Sequence, residues 1–214
     1  MQVQLIPVTM FQSNCVVIWD EETLDGVVFD PGGDANRIVE YIESNKINVH
    51  AILLTHGHVD HVSGTNGVKE ATGAKSYLHE DDWKTAEETP RQCLMFGIPV
   101  EDPPQVDEKI QDGDTFEFGT LKFEAMHTPG HSPGSTVFRF TEDPQLLVAG
   151  DLLFAGSIGR VDLPGGDESK MKESLAKMKE LPDDLVVISG HGPQTSIGKE
   201  KRSNPYLTGG LLMW

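Results

Sequence analysis

The segment AILLTHGHVDH, residues 51–61, joins a short apolar run to a loop rich in metal-binding side chains. The run 51–54 predicts a buried strand, which gives the loop a rigid support. The loop offers four potential ligands: His56, His58, Asp60 and His61. It must curl to aim all four at one point, because a regular strand would turn His61 away from the others. Imidazoles and a carboxylate suit a divalent metal such as zinc, so this segment predicts a metal site.

The same arrangement recurs further along the chain, where apolar strands again end next to polar residues. The predicted strand 146–149 ends before Asp151, and the predicted strand 185–188 ends before His191. A further candidate, His131, lies in the loop sequence TPGHS. Sites in α/β proteins are usually built at the C-terminal ends of strands. Together these residues predict a metal centre rather than scattered structural histidines.

The seven residues resemble the metal motif of the metallo-β-lactamase superfamily. Their order and spacing match over essentially the whole chain: His56-x-His58-x-Asp60-His61, then His131, Asp151 and His191. The resemblance implies an α/β fold, the αββα four-layer sandwich, as a single domain over residues 1–214. It implies one metal held by His56, His58 and His131, a second held by Asp60, His61 and His191, and a bridge made by Asp151. It also places Asp151 where zinc β-lactamases carry a cysteine, which counts against antibiotic hydrolysis.

Within the superfamily the chain most resembles glyoxalase II, the hydroxyacylglutathione hydrolases, and in particular the short bacterial type. The matching stretches are DPG at 30–32, TPGH at 128–131, GDLLF at 150–154, GSIGR at 156–160 and NPYL at 204–207. Longer glyoxalase II enzymes carry a C-terminal helical domain that helps to hold glutathione, and we expect this chain to lack it. The resemblance also implies that Arg160 anchors a carboxylate of the substrate.

The ligand set predicts hydrolysis at two divalent metal ions. Two ions about 3.5–4 Å apart can activate a shared hydroxide at neutral pH and polarise a carbonyl group. A thioester suits such a site because a thiolate is a good leaving group, the pKa of a thiol being about 8.5. Together with this chemistry, the resemblance to glyoxalase II implies a thioesterase that cleaves S-2-hydroxyacylglutathione, such as S-lactoylglutathione. Asp60 is expected to be a metal ligand, and a role as base is the alternative.

Two other activities fit the same ligands. An iron-dependent persulfide dioxygenase resembles glyoxalase II but uses one iron, held by the equivalents of His56, His131 and Asp151. A broad hydrolase of esters, lactones or phosphodiesters would use both metals. The number of bound metals therefore separates oxygenation from hydrolysis. Zinc is the expected metal, and iron and manganese are the alternatives.

The composition disfavours several classes of binding partner. The 214 residues carry a formal net charge of −17, which disfavours binding to nucleic acid or to anionic membranes. With only two cysteines, Cys15 and Cys93, and no signal-peptide pattern, a reduced cytoplasmic setting is expected. No apolar run reaches the roughly 18 residues of a membrane helix. The expected partner is a small-molecule thioester, and the oligomeric state is left open.

Local patterns predict the order of the elements around the site. An antiparallel β start precedes a β-α-β alternation. Asp34 is predicted to cap a helix that ends near Asn45, and Asp81 to cap a helix containing Trp83. Asp167 is predicted to cap a long amphipathic helix with one apolar face.

Four regions stay open between alternative roles. Residues 89–107 are predicted to be a long irregular segment, and its apolar patch at 94–96 is either a lid or cleft wall, or ordinary loop packing. Asp30 either orients a ligand histidine or ends a plain Asp-Pro-Gly turn. His127 is expected to hydrogen-bond within its loop, and a place beside the site is the alternative. The apolar tail 211–214 docks either on the core or on a partner.

Overall fold

A computed structural model of the chain describes residues 1–142 and 145–209. Its strands are β1 (Gln2–Val8), β2 (Ser13–Trp19), β3 (Asp25–Phe29), β4 (Asn48–Leu53), β5 (Lys75–His79), β6 (Glu108–Ile110), β7 (Thr115–Phe118), β8 (Leu121–His127), β9 (Thr136–Phe140), β10 (Leu146–Gly150), β11 (Leu153–Phe154), β12 (Ser157–Ile158), β13 (Val186–Ser189) and β14 (Thr195–Ser196). Its helices are α1 (Ala35–Ser44), α2 (Val59–Val62), α3 (Thr65–Thr72), α4 (Trp83–Glu87), α5 (Thr89–Phe96), α6 (Glu168–Lys179), α7 (Ile197–Ser203) and α8 (Pro205–Thr208).

Most of the strands form two six-stranded sheets. The first has the order β1-β2-β3-β4-β5-β6, antiparallel up to β3 and parallel from β3 onward. This confirms the antiparallel start and the β-α-β alternation. The second has the order β14-β13-β10-β9-β8-β7, in which β10 and β13 are parallel neighbours. A small hairpin, β11-β12, lies outside both sheets.

Three apolar clusters hold the layers together. The first packs Ile38 and Ile42 of α1 on one face of the first sheet. The second lies between the sheets, where Phe29 of β3 meets Phe138 of β9 with ring centroids 5.1 Å apart. The third packs α6, through residues such as Met171, on the outer face of the second sheet. A central strand such as β2 thus contributes to two clusters by alternation, and the predicted αββα sandwich is confirmed.

The helix starts agree only partly with their predicted caps. Asp167 caps α6, because its side chain accepts from the backbone N–H of Lys170 at 3.0 Å. Asp34 does precede α1, but its side chain accepts from the backbone N–H of Thr9 at 2.8 Å and makes no cap bond. The predicted cap at Asp81 is wrong, since a 3-10 turn covers Glu80–Asp82 and the residue before α4 is Asp82.

The segment 89–107 is not irregular throughout, because α5 occupies its first eight residues. Pro90 lies in the first helical turn, where a missing N–H costs no hydrogen bond, and Gly97 ends the helix with φ +66°. The prediction of a wholly irregular segment missed these two boundary signals. The apolar patch 94–96 consequently forms the last turn of a helix.

The structure tests two further predictions in part. Within residues 1–142 and 145–209, every helix is too short or too polar to cross a membrane. Cys15 and Cys93 are both buried free thiols. The single domain over 1–214 stays a prediction, and the tail 211–214 lies outside the described residues.

Candidate metal centre

The seven predicted ligands converge where the two sheets end. The loop after β4 carries His56 and His58 and leads into α2, which carries Asp60 and His61. Asp151 and His191 follow the parallel neighbours β10 and β13, while His131 lies in the loop between β8 and β9. The prediction that all seven side chains share one site therefore agrees with their positions in the structure.

Three imidazoles make the first half of the centre: His56, His58 and His131. Their ring nitrogens lie within 4.8 Å of one another. The nearest pair is Nδ1 of His58 and Nε2 of His131, at 2.9 Å. All three rings are buried, with at most 8% of each residue exposed.

A carboxylate and two imidazoles make the second half: Asp60, His61 and His191. Oδ2 of Asp60 lies 3.2 Å from Nε2 of His191 and 3.7 Å from Nε2 of His61. The two imidazole Nε2 atoms are 3.4 Å apart. Unlike the first half, this group is partly open to solvent, with 18% of the Asp60 side chain and 28% of the His191 side chain exposed.

Asp151 stands between the halves and contacts both. Its Oδ2 lies 3.5 Å from Nε2 of His131, and its Oδ1 lies 3.5 Å from Nε2 of His61. Gly190 makes this close packing feasible, because a Cβ there would collide with Oδ1 of Asp151 and lie 2.8 Å from the ring of His61.

Two buried atoms at the centre have no hydrogen-bond partner among the described residues: Nε2 of His56 and Oδ1 of Asp151. An unpaired buried polar atom is costly, so native proteins rarely keep one without a ligand, ion or water. Both atoms belong to residues of the convergent group. The residues present therefore fit divalent metal ions.

Hydrogen bonds on the outer nitrogens fix the direction of the rings. Nδ1 of His61 lies 3.0 Å from Oδ2 of Asp30, and Nδ1 of His131 lies 2.7 Å from the carbonyl oxygen of Arg160. Nδ1 of His191 lies 3.2 Å from the carbonyl oxygen of Phe11. Such contacts fix the tautomer and turn Nε2 toward the metal. Asp30 thus orients a candidate ligand, which decides between its two predicted roles.

Asp82, which the sequence reasoning missed, ties together the two loops of the first half. Its Oδ2 accepts from the backbone N–H of Gly57 at 2.8 Å and from the hydroxyl of Ser132 at 2.7 Å. Its Oδ1 accepts from the backbone N–H of Gly134 at 2.7 Å. Burial nevertheless raises the pKa of this carboxyl above its ordinary value. Gly57 is required here, because a Cβ would lie 2.7 Å from the carbonyl oxygen of Asp82.

Gln92 of α5 holds the same loop from the other side and was also missed. Its side-chain oxygen accepts from the backbone N–H of Val59 at 2.9 Å, and its amide group donates to the carbonyl oxygen of Thr85 at 2.7 Å. No local sequence pattern marks a side chain that bonds to a distant backbone. The loop conformation thus depends on α5 as well as on β4.

The two halves differ in their protonation chemistry. Burial, and then the positive charge on neighbouring rings, lowers the pKa of His58 to about 3. Burial alone would lower the pKa of His61, but the surrounding carboxylates, Asp60 first, outweigh it and raise that pKa to about 10. His56 and His58 therefore favour the neutral form, while His61 favours a positive ring between negative carboxylates.

Residues 130–134, GHSPG, match the Gly-x-Ser-x-Gly pattern of serine hydrolases. Ser132 is fully buried, however, and its hydroxyl contacts Asp82 and the hydroxyl of Ser135, both at 2.7 Å. A serine nucleophile needs an exposed hydroxyl beside a base, so this match is a structural loop.

Arg160 lines the cleft above the centre, but its guanidinium already has a partner. Its Nε and one terminal nitrogen each donate to a different oxygen of Asp162 at 2.7 Å. This bond lowers the pKa of Asp162 to about 2. His127 lies apart, with Nε2 2.8 Å from the carbonyl oxygen of Pro133, as expected of a loop residue.

A family model described as the metallo-beta-lactamase superfamily matches residues 8–191, a range that includes all seven converging side chains. The chain belongs to the metallo-beta-lactamase superfamily. Membership confirms the resemblance and, with the paired His/Asp groups, supports a dinuclear metal site. The protein is a metal-dependent hydrolase of this superfamily.

Individual relatives match nearly the full length of the chain. Hydroxyacylglutathione hydrolase GloC of Haemophilus influenzae is 40% identical over 210 residues, covering 97% of this chain and 98% of the relative. The crystal structure of the BLEG-1 B3 metallo-beta-lactamase is 35% identical with a TM-score of 0.90, covering 97% of this chain and 100% of that one. TTHA1623, solved in a di-iron-bound form, is 34% identical with a TM-score of 0.86, covering 95% of this chain and 100% of that one.

Proposed function

We propose that this protein is a thioesterase of the hydroxyacylglutathione hydrolase type, acting on S-2-hydroxyacylglutathiones such as S-lactoylglutathione. The observation that carries the proposal is the pair of ligand groups joined by Asp151 at the floor of an open cleft. A relative with 40% identity over 97% of the chain, named as a hydroxyacylglutathione hydrolase, supports the choice of substrate.

In this proposal His56, His58 and His131 hold one metal, and Asp60, His61 and His191 hold the second. When bound, two divalent ions supply a polarising charge for a carbonyl oxygen and a water that is acidic near neutral pH. Asp151 sets the spacing of the two halves, because its oxygens reach one imidazole of each. Zinc is the expected metal, and the di-iron form of TTHA1623 keeps iron as an alternative.

Side-chain and backbone groups of the chain hold the candidate ligands in position. Asp30, the Arg160 carbonyl and the Phe11 carbonyl hold three candidate ligand rings by their outer nitrogens. Asp60 acts as a ligand, since its carboxylate already faces His191 at 3.2 Å. Overall, the acyl carbon gains the oxygen of water, the carbon–sulfur bond breaks, and the departing thiolate takes up a proton.

The test is thiol release from S-lactoylglutathione by the purified protein, with metal content measured on the same sample. We expect hydrolysis with about two metals per chain, and loss of both in His56→Ala. Full activity and normal metal content in His56→Ala would refute the assignment. A persulfide dioxygenase would instead show a single iron and oxygen uptake with glutathione persulfide.

A wider panel separates the other activities. A β-lactam belongs in it because BLEG-1, named a B3 metallo-beta-lactamase, is 35% identical. Lactone, simple ester and phosphodiester substrates test the broad hydrolase. We expect the glutathione thioester to have a higher kcat/KM than any of these. A higher kcat/KM for the β-lactam would replace the thioesterase proposal.

A further inference from the structure

The cleft above the metal centre has a volume of about 720 Å³, and most of its lining surface is apolar. Five of them form what we call the apolar wall: Phe11, Met95, Phe96, Phe154 and Leu163. At the cleft floor lie His58, Asp60, His131, Asp151 and His191. A substrate bound at these floor residues therefore lies in the same cleft as the wall.

Part of the wall is exposed to an unusual degree. Met95 is 59% exposed and Phe96 is 40% exposed, although both are large apolar residues. The rings of Phe11 and Phe96 meet edge to face with centroids 5.4 Å apart, which joins two distant segments of the chain. Contiguous exposed apolar surface beside a site is typical of a surface that binds a ligand.

The wall contacts the segments that carry the candidate ligands, so its position is fixed relative to the centre. The backbone of Phe11 accepts from His191, and the ring of Phe154 lies 6.1 Å from that of His191. On the other side, Gln92 lies one helical turn before Phe96 and bonds to the loop that carries His58. A group resting on the wall is therefore placed at a defined distance from the metals.

Two of the three cationic side chains that line the cleft already lie next to a carboxylate. The three are Lys84, Arg91 and Arg160. Asp162 holds Arg160 by two bonds, and Glu88 lies 3.6 Å from Arg91. An anionic group of a substrate must compete with these carboxylates, whereas the apolar wall has no such competitor.

We propose that the preferred substrates carry an apolar arm next to the scissile thioester, and that the apolar wall binds this arm. The inference rests on the proposed function and narrows its substrate class to thioesters with an alkyl or aryl group. The arm belongs either to the acyl group or to the thiol. Burial of each added methylene is expected to raise kcat/KM by about two- to fourfold until the wall is covered.

Two substrate series test the inference. In the first, S-acylglutathiones range from acetyl to octanoyl, so only the acyl arm grows. In the second, the lactoyl group stays fixed and the thiol ranges from glutathione to alkyl thiols of increasing length. We expect kcat/KM to rise with chain length in one series, and that series identifies the arm. No dependence on chain length in either series would overturn the inference.

Variants in the last turn of α5 test whether the apolar wall causes the rise of kcat/KM with chain length. Met95→Ser and Phe96→Ser are expected to reduce the increase per methylene to less than about 1.5-fold, and Met95→Leu to keep it. Leu94→Ser is the matched control, because Leu94 lies in the same turn, is 72% exposed and does not line the cleft. An unchanged chain-length dependence in both serine variants would refute the role of the wall. Failure of the proposed function looks different, since no thioester of either series would then be cleaved by metal-loaded protein.

Discussion

The two halves of the metal centre come largely from one loop but differ in burial and in charge. The first half is entirely imidazole and buried, whereas the second includes a carboxylate and is partly exposed to solvent. Asp82 holds the loops of the first half, and Asp30 holds a ring of the second. The comparison teaches that a motif of six residues can contribute to two chemically distinct environments, one of imidazoles alone and one that includes a carboxylate.

The largest loss of activity is expected for a substitution of Asp151, which lies between the two halves. Asp151→Asn keeps the shape of the side chain but removes the negative charge shared by His61 and His131. We expect kcat to fall by about a thousandfold, because this group links both metals to the reacting centre. Steady-state kinetics and metal analysis check this. A variant with full activity and two metals would show that the halves work independently.

Removing the metals should destabilise the whole fold. Ions that bind only the folded state at 100 times their dissociation constant add about 2.7 kcal/mol. For a chain of this size, that corresponds to a fall in Tm of about 5–10 °C on chelation. Calorimetry with and without chelator measures the shift. Asp151→Asn should show a smaller shift, and an unchanged Tm in the native sequence would contradict a metal-supported centre.

Substituting Asp30 or Asp82, the carboxylates that support the candidate ligands, should weaken the binding of one metal more than that of the other. Asp30→Ala is expected to weaken one metal by about 10–100-fold, and Asp82→Ala to weaken the other by a similar factor. Competition with a chromophoric chelator resolves the two binding steps. Equal weakening of both steps in each variant would show that the halves are not separately supported.

The smallest effect is expected at Arg160. Asp162→Asn releases its guanidinium, and we expect the KM for a glutathione thioester to fall by about two- to fivefold with kcat unchanged, in the range of one exposed ion pair. Arg160→Gln is the matched change and should remove this gain while leaving metal content normal. An unchanged KM in Asp162→Asn would mean that Arg160 is not a substrate anchor.

The positions of the candidate ligands could be predicted because each follows an apolar strand at short range. The strand pattern fixes where a loop begins, and His56, Asp151 and His191 all lie within two or three residues of a strand end. The layer order of the fold came from the resemblance to a family, not from periodicity. Its confirmation came from the apolar clusters and from the family model.

What could not be predicted depends on distant contacts. Asp82 acts on Gly57, Ser132 and Gly134, two of which lie 50 or more residues away. Phe11 orients His191 through a backbone carbonyl, which has no sequence signature. From the sequence, the apolar patch 94–96 is either a lid or cleft wall, or ordinary loop packing. Only the path of α5 shows that Met95 and Phe96 line the cleft while Leu94 does not.

The side chain of Asn14 on β2 donates to the carbonyl oxygens of Ser189 and Gly192, on either side of His191. A strand that is translated before every candidate ligand therefore holds the last of them. His191 is 130 residues beyond His61, so a ribosome adding about 5–20 residues per second delivers it about 7–26 seconds later. During that interval a nascent chain carries an incomplete centre, which can close only after His191 has been made and has packed against β2.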